Sequence, residues 1–234
     1  MEKKHDLTEQ ITDLVIKNLA ELTENPYYIP VGISARHVHL TRADVDTLFG
    51  KGYQLTKFKD LSQPGQFAAN EKVTIEGVTG KQMQLRILGP ERSHSQVELA
   101  FSETRGLGIQ PPVRSSGNIS GTPGIKLIGP KGSVILKEGV IIADRHIHMT
   151  PADAKWFGVT DGERVEVVIP GQKGGVMNEV LIRVSDTARL DFHIDVDDAN
   201  AFLLKQGQKV WIRRKEAEYD FRNGERKSCF HQKM

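Results

Sequence analysis

The chain has 234 residues, with 32 basic and 30 acidic side chains and a formal net charge of +2. That balance excludes nucleic-acid binding driven by bulk charge, because phosphate contacts need a clustered excess of Lys and Arg. A content of 38% hydrophobic and 26% charged residues is ordinary for a globular protein of one large or two small domains. No stretch approaches the roughly 18 apolar residues of a membrane span. Charges interrupt Met1–Leu22 where a secretory signal would need an apolar run. A single cysteine, Cys229, rules out a disulfide framework or a multi-Cys metal site within one chain. A soluble, cytoplasmic protein is expected.

Asp6–Leu22 reads as an amphipathic helix, because Leu7, Ile11, Leu14, Val15, Ile16, Leu19 and Leu22 fall mostly on one stripe. Asn25-Pro26 stops it, and Pro30 marks entry into extended chain. Such a helix either packs on the body of the protein or across a dimer, or is a detachable peptide that docks on a partner. The apolar stripe fits both.

From Tyr27 onward the texture changes to short β-type runs. Val31–Ser34, Lys72–Ile75, Gln82–Leu88, Gly132–Ile135, Val140–Ile142, Arg164–Ile169, Glu179–Val184 and Lys209–Ile212 are strand-like. Turn residues such as Glu76-Gly77, Thr79-Gly80, Gly89-Pro90 and Asp161-Gly162 separate them. Helices are expected at Thr41–Phe49, Thr150–Phe157 and Asp197–Leu204. The first two begin with Thr-x-x-Asp, a pattern that caps a helix start. Many short strands with few long helices predict a mainly β fold of barrels rather than a doubly wound sheet. Neither a Gly-x-Gly-x-x-Gly turn nor a Gly-x-x-x-x-Gly-Lys-Ser/Thr loop is present, so nucleotide-fold readings drop out. The charged segment Arg213–Met234 is expected to trail off loosely, with Cys229 exposed and without a catalytic role.

The most informative feature is an internal repeat. Val31-Gly-Ile-Ser-Ala-Arg-His-Val-His-Leu-Thr-Arg-Ala-Asp44 is echoed by Val140-Ile-Ile-Ala-Asp-Arg-His-Ile-His-Met-Thr-Pro-Ala-Asp153, at a constant offset of 109 residues. Arg36, His37, His39, Thr41 and Asp44 map onto Arg145, His146, His148, Thr150 and Asp153. A duplicated unit of strand and capped helix implies two similar halves that open with the same chemistry.

In an extended strand, residues i and i+2 share a face, so His37 and His39 can converge on one ion, as can His146 and His148. Imidazole suits zinc, copper, nickel or iron, with zinc usual at group-transfer sites. Each pair needs a third ligand. His193, in Asp191-Phe-His-Ile-Asp195, is one candidate. Glu98, in the apolar alternation Ser95-Gln-Val-Glu-Leu99, is another; the plainer reading is a salt bridge to Arg92 or Arg105. His94 reads as a surface-loop histidine. Arg92, just after the Gly89-Pro90 turn, is built to hold a phosphate or carboxylate in a two-pronged grip. The run Val113-Arg-Ser-Ser-Gly-Asn-Ile-Ser-Gly-Thr-Pro-Gly124 either offers backbone N–H groups and hydroxyls to an anion or is a long surface turn.

At these residues the sequence closely resembles the PduL-type phosphotransacylases, also called phosphate propanoyltransferases, over about Ile29–Ile212. The resemblance rests on Gly-Ile-Ser-Ala-Arg-His-Val-His-Leu, Gly-Pro-Glu-Arg with downstream Gln-Val-Glu, Val-Arg-Ser-Ser-Gly-Asn-Ile-x-Gly-Thr-Pro-Gly, Asp-Arg-His-Ile-His-Met and Asp-Phe-His-Ile-Asp. It implies reversible acyl transfer between coenzyme A and inorganic phosphate, on propanoyl-CoA or acetyl-CoA. It also implies two β-barrel domains with short capping helices and two zinc ions (Zn2+) between them. One zinc would be held by His37, His39 and Glu98, the other by His146, His148 and His193. Arg92 would bind phosphate as the catalytic residue, and coenzyme A would meet Ser34, Ala35, Arg36, Lys59, Arg86 and Asn200.

The same resemblance implies an interleaved topology. Residues 26–35 with 144–212 form one barrel and 36–143 the other, preceded by the helix of 1–25 and followed by the charged tail 213–234. It further implies that Asp6–Leu22 is an encapsulation peptide for a shell protein, placing the enzyme in the lumen of a bacterial microcompartment. A homodimer is expected, with no nucleic-acid or membrane partner. Two other classes use the same residues: a di-metal phosphoester or thioester hydrolase, and a non-catalytic zinc-stabilised scaffold.

Overall fold

The computed structural model describes residues 28–213, 219–220 and 225–226. The helix expected over Asp6–Leu22, and most of the tail, lie outside them. The strands, in chain order, begin with β1 (Ile29–Ser34), β2 (His37–His39), β3 (Lys57–Asp60), β4 (Phe67–Glu76), β5 (Gln82–Gly89) and β6 (Gln96–Glu98). There follow β7 (Val113–Arg114), β8 (Ile125–Ile128), β9 (Ser133–Leu136), β10 (Val140–Ala143), β11 (His146–Met149) and β12 (Arg164–Ile169). The last are β13 (Gly175–Val184), β14 (Asp191–Asp195), β15 (Lys209–Ile212), β16 (Tyr219–Asp220) and β17 (Glu225–Arg226). Four short helices lie among them: α1 (Arg42–Phe49), α2 (Phe101–Leu107), α3 (Pro151–Phe157) and α4 (Val196–Phe202).

The fold is mainly β, as the texture predicts. Six strands close into a barrel in the order β1-β14-β11-β13-β12-β15, with Ile29 meeting Val210 at the closing seam. Closure removes the edges that would otherwise template aggregation. The second body is a curled half-barrel of nine strands, β7-β10-β6-β2-β5-β4-β8-β9 with β3 on β4. Each body has its own core. Val165, Val167 and Ile169 alternate inward from β12 to join Ile147, Phe192 and Val210 in the barrel. Val38, Leu48, Val73, Leu85, Val97 and Leu127 fill the sheet.

The repeat is visible in three dimensions. β2 runs parallel to β5 and antiparallel to β6, while β11 runs parallel to β13 and antiparallel to β14. The strands that precede them are exchanged. β1, which leads into β2, pairs with β14 in the barrel; β10, which leads into β11, pairs with β6 in the sheet. Registers match across the exchange: Gly32 lies beside His193 and Ile141 beside Glu98.

Capping explains three helices. Thr41 and Thr150 accept the backbone N–H of Asp44 and Asp153, both at 3.1 Å, and Asp195 accepts that of Asp198 at 2.9 Å. α2 was not foreseen because its N-cap is Ala100, the counterpart of Asp195 and without a capping oxygen. Its cap comes from across the chain. Asp197 on α4 accepts Ser102 N at 2.7 Å and Ser102 Oγ at 2.6 Å, tying the two bodies together.

Candidate active site

Both repeats place their first histidine in the same way. Nδ1 of His37 donates to Ala35 O at 2.9 Å, and Nδ1 of His146 donates to Asp144 O at 2.7 Å. In a neutral ring, as at His146, that bond fixes the tautomer and leaves the lone pair on Nε2. Third partners arrive by strand pairing, since His37 lies opposite Glu98 and His146 opposite His193.

In the barrel, the ligand atoms of His146, His148 and His193 all lie within 4.8 Å of one another. His146 Nε2 and His148 Nε2 are 3.1 Å apart. Burial, aided by the neighbouring rings, lowers the pKa of His146 to about 4 and that of His148 to about 3. Both imidazoles are therefore neutral at neutral pH, the form that binds a metal. His193 is held differently: its Nε2 lies 2.9 Å from Asp191 Oδ2 and 3.2 Å from Ser62 Oγ.

In the sheet, His37, His39 and Glu98 form a second such group. Glu98 Oε2 lies 3.3 Å from His37 Nε2, and Glu98 Oε1 lies 3.9 Å from His39 Nε2. Burial would raise the Glu98 pKa, but the His37 charge and hydrogen bonds outweigh it and hold the carboxyl well below the usual range. Burial opposes charge on His37, yet Glu98 raises its pKa, while burial and the His37 charge lower that of His39 to about 3. His39 Nδ1 is buried without a hydrogen-bond partner. Neither Arg92 nor Arg105 forms an ion pair with Glu98. The Ser116 hydroxyl donates to Glu98 Oε1 at 2.9 Å and accepts from Gln96 Nε2 at 2.8 Å and Arg92 Nη1 at 3.1 Å. The Ser/Gly run thus reaches the site through Ser116. His94 stays at the surface.

Both groups open onto one cleft of about 670 Å³, lined also by Ser34, Ala35, Arg36, Lys59, Arg86 and Arg92. Asn200, exposed on α4, is not part of its lining. Arg36 is paired with Glu103 at 2.6 Å, and the Arg86 guanidinium lies 4.8 Å over the Phe58 ring. Arg183, on β13 beside His148, also lines the cleft. Among the described residues neither Arg92 nor Arg183 has an ion-pair partner within 4.0 Å. Burial and the Arg183 charge lower the Arg92 pKa against the pull of Glu98. Two uncompensated guanidinium groups in a part-buried cleft create a positive potential suited to anions.

Sequence reasoning missed Arg183, Ser116 and Asp191 as individual residues. Arg183 carried the signal that marked Glu98, a charge within an apolar alternation, and Asp191 stands at i−2 from His193. Gly32 was also passed over, although a Cβ there would meet His193 Cδ2 at 2.7 Å and both Asp191 carboxylate oxygens at 2.8 Å. Gly32→Ala is expected to push Asp191 and His193 out of place. Thermal unfolding should show a loss of about 1–3 kcal/mol, the usual cost of overpacking, with a wild-type melting curve counting against the contact.

The cleft joins two histidine-containing groups that could hold metal ions to two guanidinium groups without ion-pair partners among the described residues, an arrangement suited to an enzyme that acts on anions. The family model described as phosphate propanoyltransferase matches residues 30–205, and the chain belongs to that family of acyltransferases. The phosphate propanoyltransferase of Thermotoga maritima is 48% identical over 207 residues, covering 86% of this chain and 98% of that protein. That of Lachnoclostridium phytofermentans is 49% identical over 207 residues, with coverage of 87% and 97%. That of Enterococcus faecalis is 44% identical over 209 residues, with coverage of 89% and 98%. No helix among the described residues is long and apolar enough to cross a membrane.

Proposed function

We propose that this chain transfers an acyl group reversibly between coenzyme A and inorganic phosphate, with propanoyl as the preferred group and acetyl as an alternative, in a cleft that holds two zinc ions. The observation that carries this reading is the convergence of both ligand groups and both guanidinium groups on one cleft. The donor sets fit zinc, which takes imidazole nitrogen and carboxylate oxygen. His146 and His148 are neutral at neutral pH, the form of imidazole that binds a metal. His37, His39 and Glu98 would hold one ion and His146, His148 and His193 the other. When bound, such ions supply Lewis-acid stabilisation of charge on a carbonyl or phosphoryl oxygen.

The side chains account for the rest. Arg92, steadied by Ser116 and by its backbone bond to Leu40 O at 2.9 Å, holds the phosphate and points one oxygen at the acyl carbon. Arg183 adds a second positive charge where negative charge develops. The phosphate oxygen forms the new bond to the carbonyl carbon, and the carbon–sulfur bond breaks. Its electron pair leaves on the coenzyme A sulfur, which takes up the proton that hydrogen phosphate gives up. Phosphate is itself the nucleophile, so the protein need only align and neutralise. Coenzyme A lies along Ser34, Ala35, Arg36, Lys59 and Arg86, with Asn200 at the periphery. Acetyl and propanoyl differ by one methylene, about 1–3 kcal/mol in an apolar pocket.

In the same reading, residues 26–35 with 144–212 and residues 36–143 are the two domains, supported by their separate cores. The enzyme is a homodimer, and the apolar stripe of Asp6–Leu22 supports a role in docking on a microcompartment shell. The decisive experiment follows coenzyme A release from propanoyl-CoA with a thiol reagent, using metal-replete protein with and without phosphate. Phosphate-dependent release with formation of acyl phosphate is expected. Release without phosphate would make the protein a hydrolase, and no release with two metals bound would leave a scaffold.

A further inference from the structure

We infer that Arg42 and Glu91 are a positioning pair for Arg92: the ion pair between the first residue of α1 and the turn after β5 sets where the Arg92 guanidinium enters the cleft. The inference rests on the reading of Arg92 as the phosphate-binding residue, and it adds two residues that this reading does not use.

Arg92 lies in the middle of a turn that is fixed at both ends. At one end Gly89 lies against Phe67, where a Cβ would come within 2.3 Å of the ring. At the other, Ser95 Oγ accepts Thr41 N at 2.9 Å and donates to Asp44. Between them, Arg92 N donates to Leu40 O at 2.9 Å, and Glu91 Oε1 accepts from Arg42 Nη1 at 2.8 Å. The peptide that joins Glu91 to Arg92 is thus held through its N–H and through the side chain before it. Both holds come from the segment that leads from β2 into α1. The Arg92 side chain has its hydrogen bond to Ser116 Oγ at 3.1 Å, so its reach into the cleft depends on where the backbone starts it.

Arg42 is a poor choice on local grounds. It opens α1, where the dipole and unsatisfied N–H groups of a helix start disfavour a cation. Its Nε is buried without a hydrogen-bond partner among the described residues. The rest of its fork is spent on Glu91, Asp46 and Tyr53 O, at 2.8, 2.8 and 2.6 Å. The Arg42 and Glu91 side chains are 40% and 29% exposed, and an ion pair so open to solvent contributes little to stability. Its contribution is geometric.

The internal repeat supplies an independent comparison. In the barrel, the carbonyl that corresponds to Leu40 O is Met149 O, and it accepts from Ser185 N at 2.9 Å. By that bond Ser185 stands where Arg92 stands, and Val184 where Glu91 stands. The repeat puts Pro151 at the place of Arg42, and proline is a favoured first residue of a helix. The unit with no guanidinium to place at this point therefore keeps the ordinary helix start and has no ion pair there. In the unit that carries Arg92, all three positions differ together.

The test measures initial rates of coenzyme A release by metal-replete protein across phosphate and propanoyl-CoA series, with thermal unfolding alongside. The variants are Glu91→Gln, Arg42→Ala, Arg42→Lys, Arg92→Ala, and Glu91→Gln combined with Arg92→Ala. Glu91→Gln and Arg42→Ala are each expected to raise the KM for phosphate about 5-fold, within the usual range of coupling between groups in contact. Arg42→Lys, which keeps the charge, should recover part of that loss. The KM for propanoyl-CoA and the melting temperature should stay near wild type. Adding Glu91→Gln to Arg92→Ala should give no further rise, because the pair acts through Arg92. A wild-type KM for phosphate in both Glu91→Gln and Arg42→Ala would overturn the positioning role. So would a rise from Glu91→Gln that persists in the Arg92→Ala background. Either result leaves the phosphate-binding reading intact when Arg92→Ala alone raises that KM. Phosphate-independent release by wild type, or unchanged phosphate affinity in Arg92→Ala, would overturn that reading and this role with it.

Discussion

Replacing both His146 and His148 with alanine is expected to leave one bound metal per chain in place of two and to reduce phosphate-dependent acyl transfer by about 10³-fold or more, because a lost Lewis acid removes several kcal/mol of charge stabilisation. The two rings meet Nε2 to Nε2 at 3.1 Å, and neither can be replaced by its neighbours: His193 is engaged by Asp191 and Ser62, and His37, His39 and Glu98 form the other group. Each histidine sits on β11 with Ile147 between them pointing into the barrel core, so truncating the outward pair leaves the packing of Ile147 and Met149 in place. Metal content by elemental analysis, with thermal unfolding as a check on folding, reads the result. Full activity in the double variant would mean that the second pair is structural.

Arg92→Ala is expected to raise the KM for phosphate by about 10- to 100-fold, corresponding to about 1.5–3 kcal/mol for hydrogen bonds to a charged group. Both metals should stay bound and the KM for acyl-CoA should change little. The guanidinium's hydrogen bond within the cleft goes to the neutral Ser116 hydroxyl, so its charge is available to a ligand. Arg183 remains in the variant, which is why the loss is bounded rather than complete. Initial rates across a phosphate series test this, and unchanged phosphate affinity would remove Arg92 from its role.

How much of this was legible beforehand depends on the range over which each cause acts. His37, His39, His146 and His148 could be read because the repeat states them twice and the strand period fixes their facing. Glu98 and His193 could be picked out by chemistry, a charge or an imidazole within an apolar run, but only strand pairing sets them opposite His37 and His146. Thr41 and Thr150 announced their helices because their caps are local. α2 was invisible because Asp197, nearly a hundred positions away, caps it. Ser116 was read only as part of a run, since its three partners lie on other segments. Gly32 is silent in sequence because what it supplies is vacant space.

The exchange of β1 and β10 has a consequence for how such a chain must assemble. A chain severed between the repeats would give two fragments, each holding a strand that belongs to the other and each missing one of its own. Neither could finish its sheet alone. The arrangement has the form of two strand-swapped units joined in one chain, with the cleft lined by residues of both. The two units nevertheless differ at single equivalent positions. Glu98 and His193, Leu88 and Arg183, and Ile141 and Gly32 are equivalent pairs whose unlike side chains give the two units different chemistry at the cleft.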